Sequence, residues 1–137
     1  MANDNWYVSL DSKIFTILKT RLVKKLGSKY PKLFCTMADS IDSEPVFPTV
    51  YIHTLQGVEM GADLVNESIN AILNTVQVDV TDNESMNDCR IVTMEVLNQL
   101  KLLHFNIVGM PIYTTEGNVY RGVLRARRTI GSDDSLT

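Results

Sequence analysis

The sequence is poor in cysteine, with only Cys35 and Cys89 among its 137 residues. Their separation matches neither a zinc-binding nor a redox motif. Cys89 falls on the apolar face of a predicted helix, where a reduced cysteine behaves as a small hydrophobic residue. We therefore predict two buried free thiols in a reducing compartment, and no disulfide.

Long hydrophobic runs are also missing. No stretch approaches the roughly 20 apolar residues that a membrane-spanning helix needs. The N-terminal sequence MANDNWYVSLDSK has no basic region followed by an apolar one, so it does not resemble a secretory signal. The sequence predicts a soluble cytoplasmic protein with no membrane partner.

The chain also has no excess of positive charge. Lysine and arginine number 13 against 16 acidic residues, which gives a net charge of −3. Such a chain has no general basic field to attract nucleic acid.

Its hydrophobic fraction of 45% is ordinary for a globular protein of this length. No linker or internal repeat divides it, and we predict a single domain over residues 1–137.

Catalytic motifs are absent as well. The chain has no G-x-S-x-G elbow, phosphate-binding loop or H-E-x-x-H pair. Its two histidines, His53 and His104, have no cysteine or carboxylate at metal-ligand spacing, and the acidic residues are scattered through loops and turns. We predict that the protein is not an enzyme and binds no cofactor or metal.

Two amphipathic helices follow from apolar residues that recur every three or four positions. The first extends from Ser9 to Leu26. The second begins after Ser85, a candidate N-cap with Asp88 three positions on, and extends to about Leu103. The apolar positions are Leu10, Ile14, Ile17, Leu18, Leu22 and Leu26 in the first helix, and Met86, Cys89, Val92, Val96, Leu100 and Leu103 in the second.

The remaining apolar segments read as strands. Val76, Val78 and Val80 alternate with polar residues, which is typical of a strand with one buried face and one solvent-exposed face. Gly109 and Pro111 interrupt another segment and favour an edge strand or a bulge. The predicted strands cover Thr49 to Leu55, Ile72 to Thr81, Phe105 to Tyr113 and Val119 to Ile130, with a further short one between Lys32 and Met37.

Consecutive strands without crossover helices favour antiparallel pairing. The predicted fold class is therefore α+β, a largely antiparallel sheet of four to five strands with two helices packed on one face. Residues 57–70 form a long connection between two strands, which we expect to act as a binding arm. Residues 131–137 are expected to form a polar, mobile tail.

The most unusual feature is the arginine content of the last strand. Arg121, Arg125 and Arg127 lie an even number of positions apart, so they project from the same face. They are either paired within the chain, for example with Asp79 on a neighbouring strand, or located in a subunit interface, where arginine is enriched. Direct contact with DNA is the weaker alternative, because the chain is acidic.

Several segments resemble a known family. Residues 30–34 (YPKLF) and 47–53 (FPTVYIH) are similar to a "YP…FP-x-VYIHEL" region of small proteins from the tail and neck of long-tailed bacteriophages and related prophages. Residues 118–121 (NVYR) and 125–130 resemble the end of those proteins. The order of helices and strands in those proteins matches the predicted order over nearly the whole chain, but Thr54 stands where the family pattern has an acid.

The resemblance implies a tail terminator, also called a tail completion protein, with an antiparallel sheet flanked by helices. Such a protein assembles into a homohexameric ring that caps the tail tube protein, ends its polymerisation and offers a head-joining surface to a connector or stopper protein. DNA only passes through the lumen, and the protein belongs to the virion after assembly in the host cytoplasm. Another connector ring of the neck is the alternative.

A ring requires two different complementary patches on each subunit. The arm and the arginine face are the candidates that the sequence offers. The predicted interface residues are Glu59, Asp63 and Glu67 in the arm, and Arg121, Arg125 and Arg127 in the last strand.

Overall fold

A computed structural model describes residues 9–37, 47–55, 58–60, 71–131 and 136, with only the backbone of residues 58–60. The predicted α+β class is confirmed. The elements are α1 (Leu10–Leu26), β1 (Phe34–Thr36), β2 (Thr49–Thr54), β3 (Val58–Met60), β4 (Ala71–Asp82), α2 (Met86–Leu102), β5 (Asn106–Glu116) and β6 (Val119–Gly131).

The strands form one sheet in the order β1-β2-β4-β6-β5, and the short β3 pairs with the beginning of β4. The ladder between β4 and β6 is the longest, from Ala71 opposite Gly131 to Asp82 opposite Tyr120. All pairs are antiparallel except β1 with β2, which is parallel. A parallel pair needs a connection of about a dozen residues, and the chain between Thr36 and Thr49 supplies one.

The core lies between the helices and one face of the sheet. Because side chains alternate along a strand, the even-numbered residues of β2, β4 and β6 point to the helices. Cys89 in α2 lies against the backbone of β4, with its Sγ 3.7 Å from the Val80 carbonyl oxygen. The buried apolar residues of this core include Val50, Ile52, Val76, Val78, Val80, Leu124 and Ala126 from the sheet, Ile14, Leu18 and Leu22 from α1, and Val92, Val96 and Leu100 from α2.

Both ends of α2 are fixed by side chains. At its start, Ser85 Oγ accepts a hydrogen bond from the Asp88 amide at 3.0 Å, which confirms the predicted N-cap. Tyr30 Oη donates to Asp88 Oδ1 at 3.0 Å and joins the segment after α1 to this cap. At its end, Arg128 Nη1 donates to the Leu103 carbonyl oxygen at 2.7 Å. The long strand β6 thus helps to position the helix.

Gly122 allows β6 to approach α2 closely. A Cβ atom at this position would lie 2.6 Å from Thr93 Oγ1, which is shorter than van der Waals contact allows. A larger residue here would have to displace the buried Thr93 side chain of α2.

Two predicted segments lie largely outside the described residues. Of the arm at 57–70, only the β3 residues 58–60 belong to the described part. Of the tail at 131–137, Gly131 ends β6, and Leu136 is buried in the core cluster. Within the part of the chain that the structure describes, no helix is long and apolar enough to cross a membrane.

His104 adopts a left-handed backbone conformation at the end of α2, with φ of 67°. This conformation costs an L-residue roughly 1–2 kcal/mol, and glycine avoids that cost. We expect His104→Gly to raise the free energy of unfolding by about 0.5–1 kcal/mol, after the entropy that glycine adds to the unfolded chain. Urea denaturation measures the change. His104→Ala is the control, because alanine keeps the steric cost; equal gains in both variants would contradict the explanation.

The two cysteines are free and buried, as predicted. Burial raises the pKa of Cys35 to about 11 and also raises the pKa of Cys89. Since the thiolate is the reactive form, we expect a thiol reagent at pH 8 to label the folded protein about 100-fold more slowly than the denatured protein. Labelling of the folded protein should accelerate as the pH rises towards 11. Equal rates in the two states would show that the thiols are accessible.

Candidate functional site

The face of the sheet opposite the helices carries the polar side chains. No helix in the described residues covers it. Because β4 pairs with β2 and β6 in register, the odd-numbered residues of the three strands lie side by side. They are Tyr51 and His53 of β2, Thr75, Gln77, Asp79 and Thr81 of β4, and Arg121, Val123, Arg125 and Arg127 of β6.

Asp79 lies at the centre of this uncovered face. Arg121 Nη2 contacts its Oδ2 atom, and Gln77 Nε2 donates to its Oδ1 atom at 3.0 Å. His53 Nε2 lies 3.9 Å from the same Oδ1 atom, and the His53 ring stacks on Tyr51 with centroids 4.3 Å apart. Asp79 is consequently only 6% exposed. Asp79 is an exception on the face that the alternation predicted to be solvent-exposed, because long side chains from two neighbouring strands cover the carboxylate.

The three arginines do share one face, as predicted, but their surroundings differ. Arg121 pairs with Asp79, as the intrachain alternative expected. Arg125 Nε donates to the neutral Gln77 Oε1 atom at 2.8 Å. Arg127 is exposed and has no partner among the described residues. Two of the three positive charges are therefore not neutralised by any described acid.

The three predicted acidic interface residues cannot be placed against this face. Glu59 lies in β3, where its backbone is the partner of Ile72 on β4. Asp63 and Glu67 lie outside the described residues. Their role in an interface stays a prediction.

The edge strand β5 exposes large apolar side chains that sequence patterns did not identify. Val108 is 53% exposed, Met110 70% and Ile112 68%. The pairing of β5 with β6 shifts register on both sides of Gly109, and the expected bulged edge strand is confirmed. Apolar residues of an edge strand that glycine and proline interrupt need not point into the core. Gly109 and Pro111 were therefore the sequence features that could have indicated this exposure.

These apolar residues adjoin the unneutralised arginines. Val108, Met110, Ile112 and Arg125 line one shallow groove, and Arg127 follows two positions along β6 on the same face. We call these five residues the β5–β6 patch. It combines two positive charges with three large hydrophobic side chains, a composition typical of surfaces that bind another protein.

Two apolar side chains are partly exposed at the opposite edge of the sheet. Phe34 in β1 is 38% exposed, and Met37, directly after β1, is 41% exposed. Because β1 and β5 are the two ends of the strand order, unlike apolar side chains are exposed at the two edges of one sheet.

The described residues contain no group of three or more His, Cys, Asp or Glu side chains that could hold a metal ion.

In comparisons with known proteins, neither a scan of protein-family models nor a search of curated proteins finds a match. The site is therefore characterised by its geometry alone.

The contact of Arg121 with Asp79 should stabilise the fold more than the contact of Arg125 with Gln77 does. Removing Arg121 leaves a buried carboxylate without its charged partner, and we expect Arg121→Ala to lower the free energy of unfolding by about 1–2 kcal/mol. Arg125→Ala is the matched control on the same strand and face, with an expected loss below about 0.5 kcal/mol. Chemical denaturation compares the two variants; equal losses would mean that the Asp79 contact adds no more stability than the contact between Arg125 and Gln77.

Proposed function

We propose that the chain is a subunit of a ring assembly in a bacteriophage tail, a tail terminator that caps the tail tube, ends its polymerisation and offers a surface for joining the head. The observation that carries the proposal is that unlike apolar side chains are exposed at the β1 and β5 edges of the sheet. Unlike surfaces on opposite sides of one subunit suit head-to-tail contacts, and such contacts close into a ring when the rotation between subunits permits.

The resemblance to tail terminator proteins supports the same function, and the matching residues have identifiable structural roles. Tyr30 bonds to the cap of α2. Residues 47–53 lead into and form β2, where Val50 and Ile52 are buried and Tyr51 and His53 lie on the uncovered face. The matching residues thus belong to the parts of the chain that build the core and this face.

The proposal includes the partners that such a ring requires. They are further copies of the chain, the tail tube protein below and a connector or stopper protein on the head side. Its role is structural and involves no catalysis, and its place is the host cytoplasm during assembly and the virion afterwards. The alternative within the same class is another connector ring of the neck.

Particles assembled without the protein test the function directly. If the chain is a terminator, electron microscopy should reveal tails of uncontrolled, excessive length, or tails of normal length that are not joined to heads. Restoring the wild-type chain from a plasmid is the control and should return normal joined particles.

The same images separate the alternatives. Tails of normal length with filled but unstable or leaking heads indicate another neck ring and contradict a terminator. Normal joined tails in the absence of the protein would rule out both assignments.

A further inference from the structure

We propose that the β5–β6 patch binds residues 61–70 of a second copy of the chain. The inference rests on the proposed function in one respect, since a ring requires a repeated contact between copies. It adds the identity of the two surfaces that meet, one from each subunit.

The charges of the two surfaces are complementary. Residues 61–70 (GADLVNESIN) contain two acids, Asp63 and Glu67, and no lysine or arginine. The patch carries two arginines, Arg125 and Arg127, that no described acid neutralises. Carboxylates suit the planar guanidinium because they accept paired hydrogen bonds. The two acids match the two available positive charges.

The apolar content matches in the same way. Leu64, Val65 and Ile69 accompany the acids in the segment, and Val108, Met110 and Ile112 are each more than half exposed in the patch. In addition, β5 has no charged residue from Asn106 to Thr115. Natural proteins commonly place charges on exposed edge strands to prevent association. The absence of such charges here favours an edge that is covered in the assembled state.

Chain length indicates that the segment comes from another copy. It starts after Met60 and ends before Ala71, and these two residues are paired neighbours. Ten residues anchored at both ends extend at most about 18 Å from the anchor. Ile112 is level with Val123 and Asp79, eight residues along β4 from Ala71, which is about 26 Å. The segment therefore cannot cover the far end of its own patch, whereas the segment of a neighbouring subunit can.

Photo-crosslinking of the full chain tests the contact. A photoreactive p-benzoylphenylalanine replaces Val65, and the products are separated by mass and mapped by mass spectrometry. We expect crosslinked dimers in which position 65 is joined to residues 106–127 of the other chain. Reversing either set of charges, Arg125→Glu with Arg127→Glu or Asp63→Lys with Glu67→Lys, should lower the dimer yield about tenfold.

A mixture of the two reversed proteins, both carrying the photoreactive group, provides the decisive comparison. In the mixture each wild-type segment meets a wild-type patch and each reversed segment meets a reversed patch, so the dimer yield should return. This recovery also shows that the variants are folded. Lys24→Glu with Lys25→Glu is the matched control, because it reverses two exposed charges on α1 and should leave the yield unchanged.

Three results would overturn the inference. Crosslinks confined to one chain would place the segment on its own subunit. A yield that ignores both reversals would mean that the charges do not meet. An unchanged yield, together with loss of duplex DNA binding in the Arg125→Glu and Arg127→Glu variant, would assign the patch to phosphate. Because these measurements use isolated protein, they can fail while particles without the protein still have overlong tails, and the reverse also holds.

Discussion

The register between β4 and β6 is the constraint on which the rest of the molecule depends. Twelve consecutive residues of each strand are paired, and the side chains of a strand alternate between faces. This register directs Val76, Val78 and Val80 to the helices, together with Leu124 and Ala126. If β6 slipped by one residue, its arginines would turn into the core, and Leu124 and Ala126 would become exposed. The cost of burying guanidinium groups without partners therefore helps to select this register.

The polar contacts of the sheet and the positions of the helices both follow from that register. On the uncovered face, Arg121 lies directly opposite Thr81 and is close enough to pair with Asp79, two residues before Thr81 on β4. On the other face the register brings Gly122 beneath Thr93 of α2 and Arg128 to the carbonyl end of the same helix. The strand that carries the arginines on one face thus also contacts α2 on the other.

Much of this architecture follows from the sequence, because periodicity records which face of an element is buried. The two helices, the alternation in β4 and the bulged β5 were predicted within a few residues of their observed bounds. The parallel pairing of β1 with β2 was not predicted, since strand pairing depends on the path of a connection and not on the pattern of either strand. The burial of Asp79 was also missed. It depends on Gln77, His53 and Arg121, and periodicity carries no information about neighbouring strands.

The exposed apolar residues of β5 were the least predictable feature, and they constrain how copies of the chain can associate. A two-fold symmetric contact through β5 would place the same surface on both subunits. Arg125 and Arg127 of both copies would then lie in one interface, with no described acid to neutralise them, and such a concentration of like charge is unfavourable. The β1 edge exposes different apolar side chains, Phe34 and Met37. Two unlike edges, one of which carries two arginines that no described acid neutralises, suit the proposed head-to-tail association better than a two-fold contact, and closed rings are built from head-to-tail contacts.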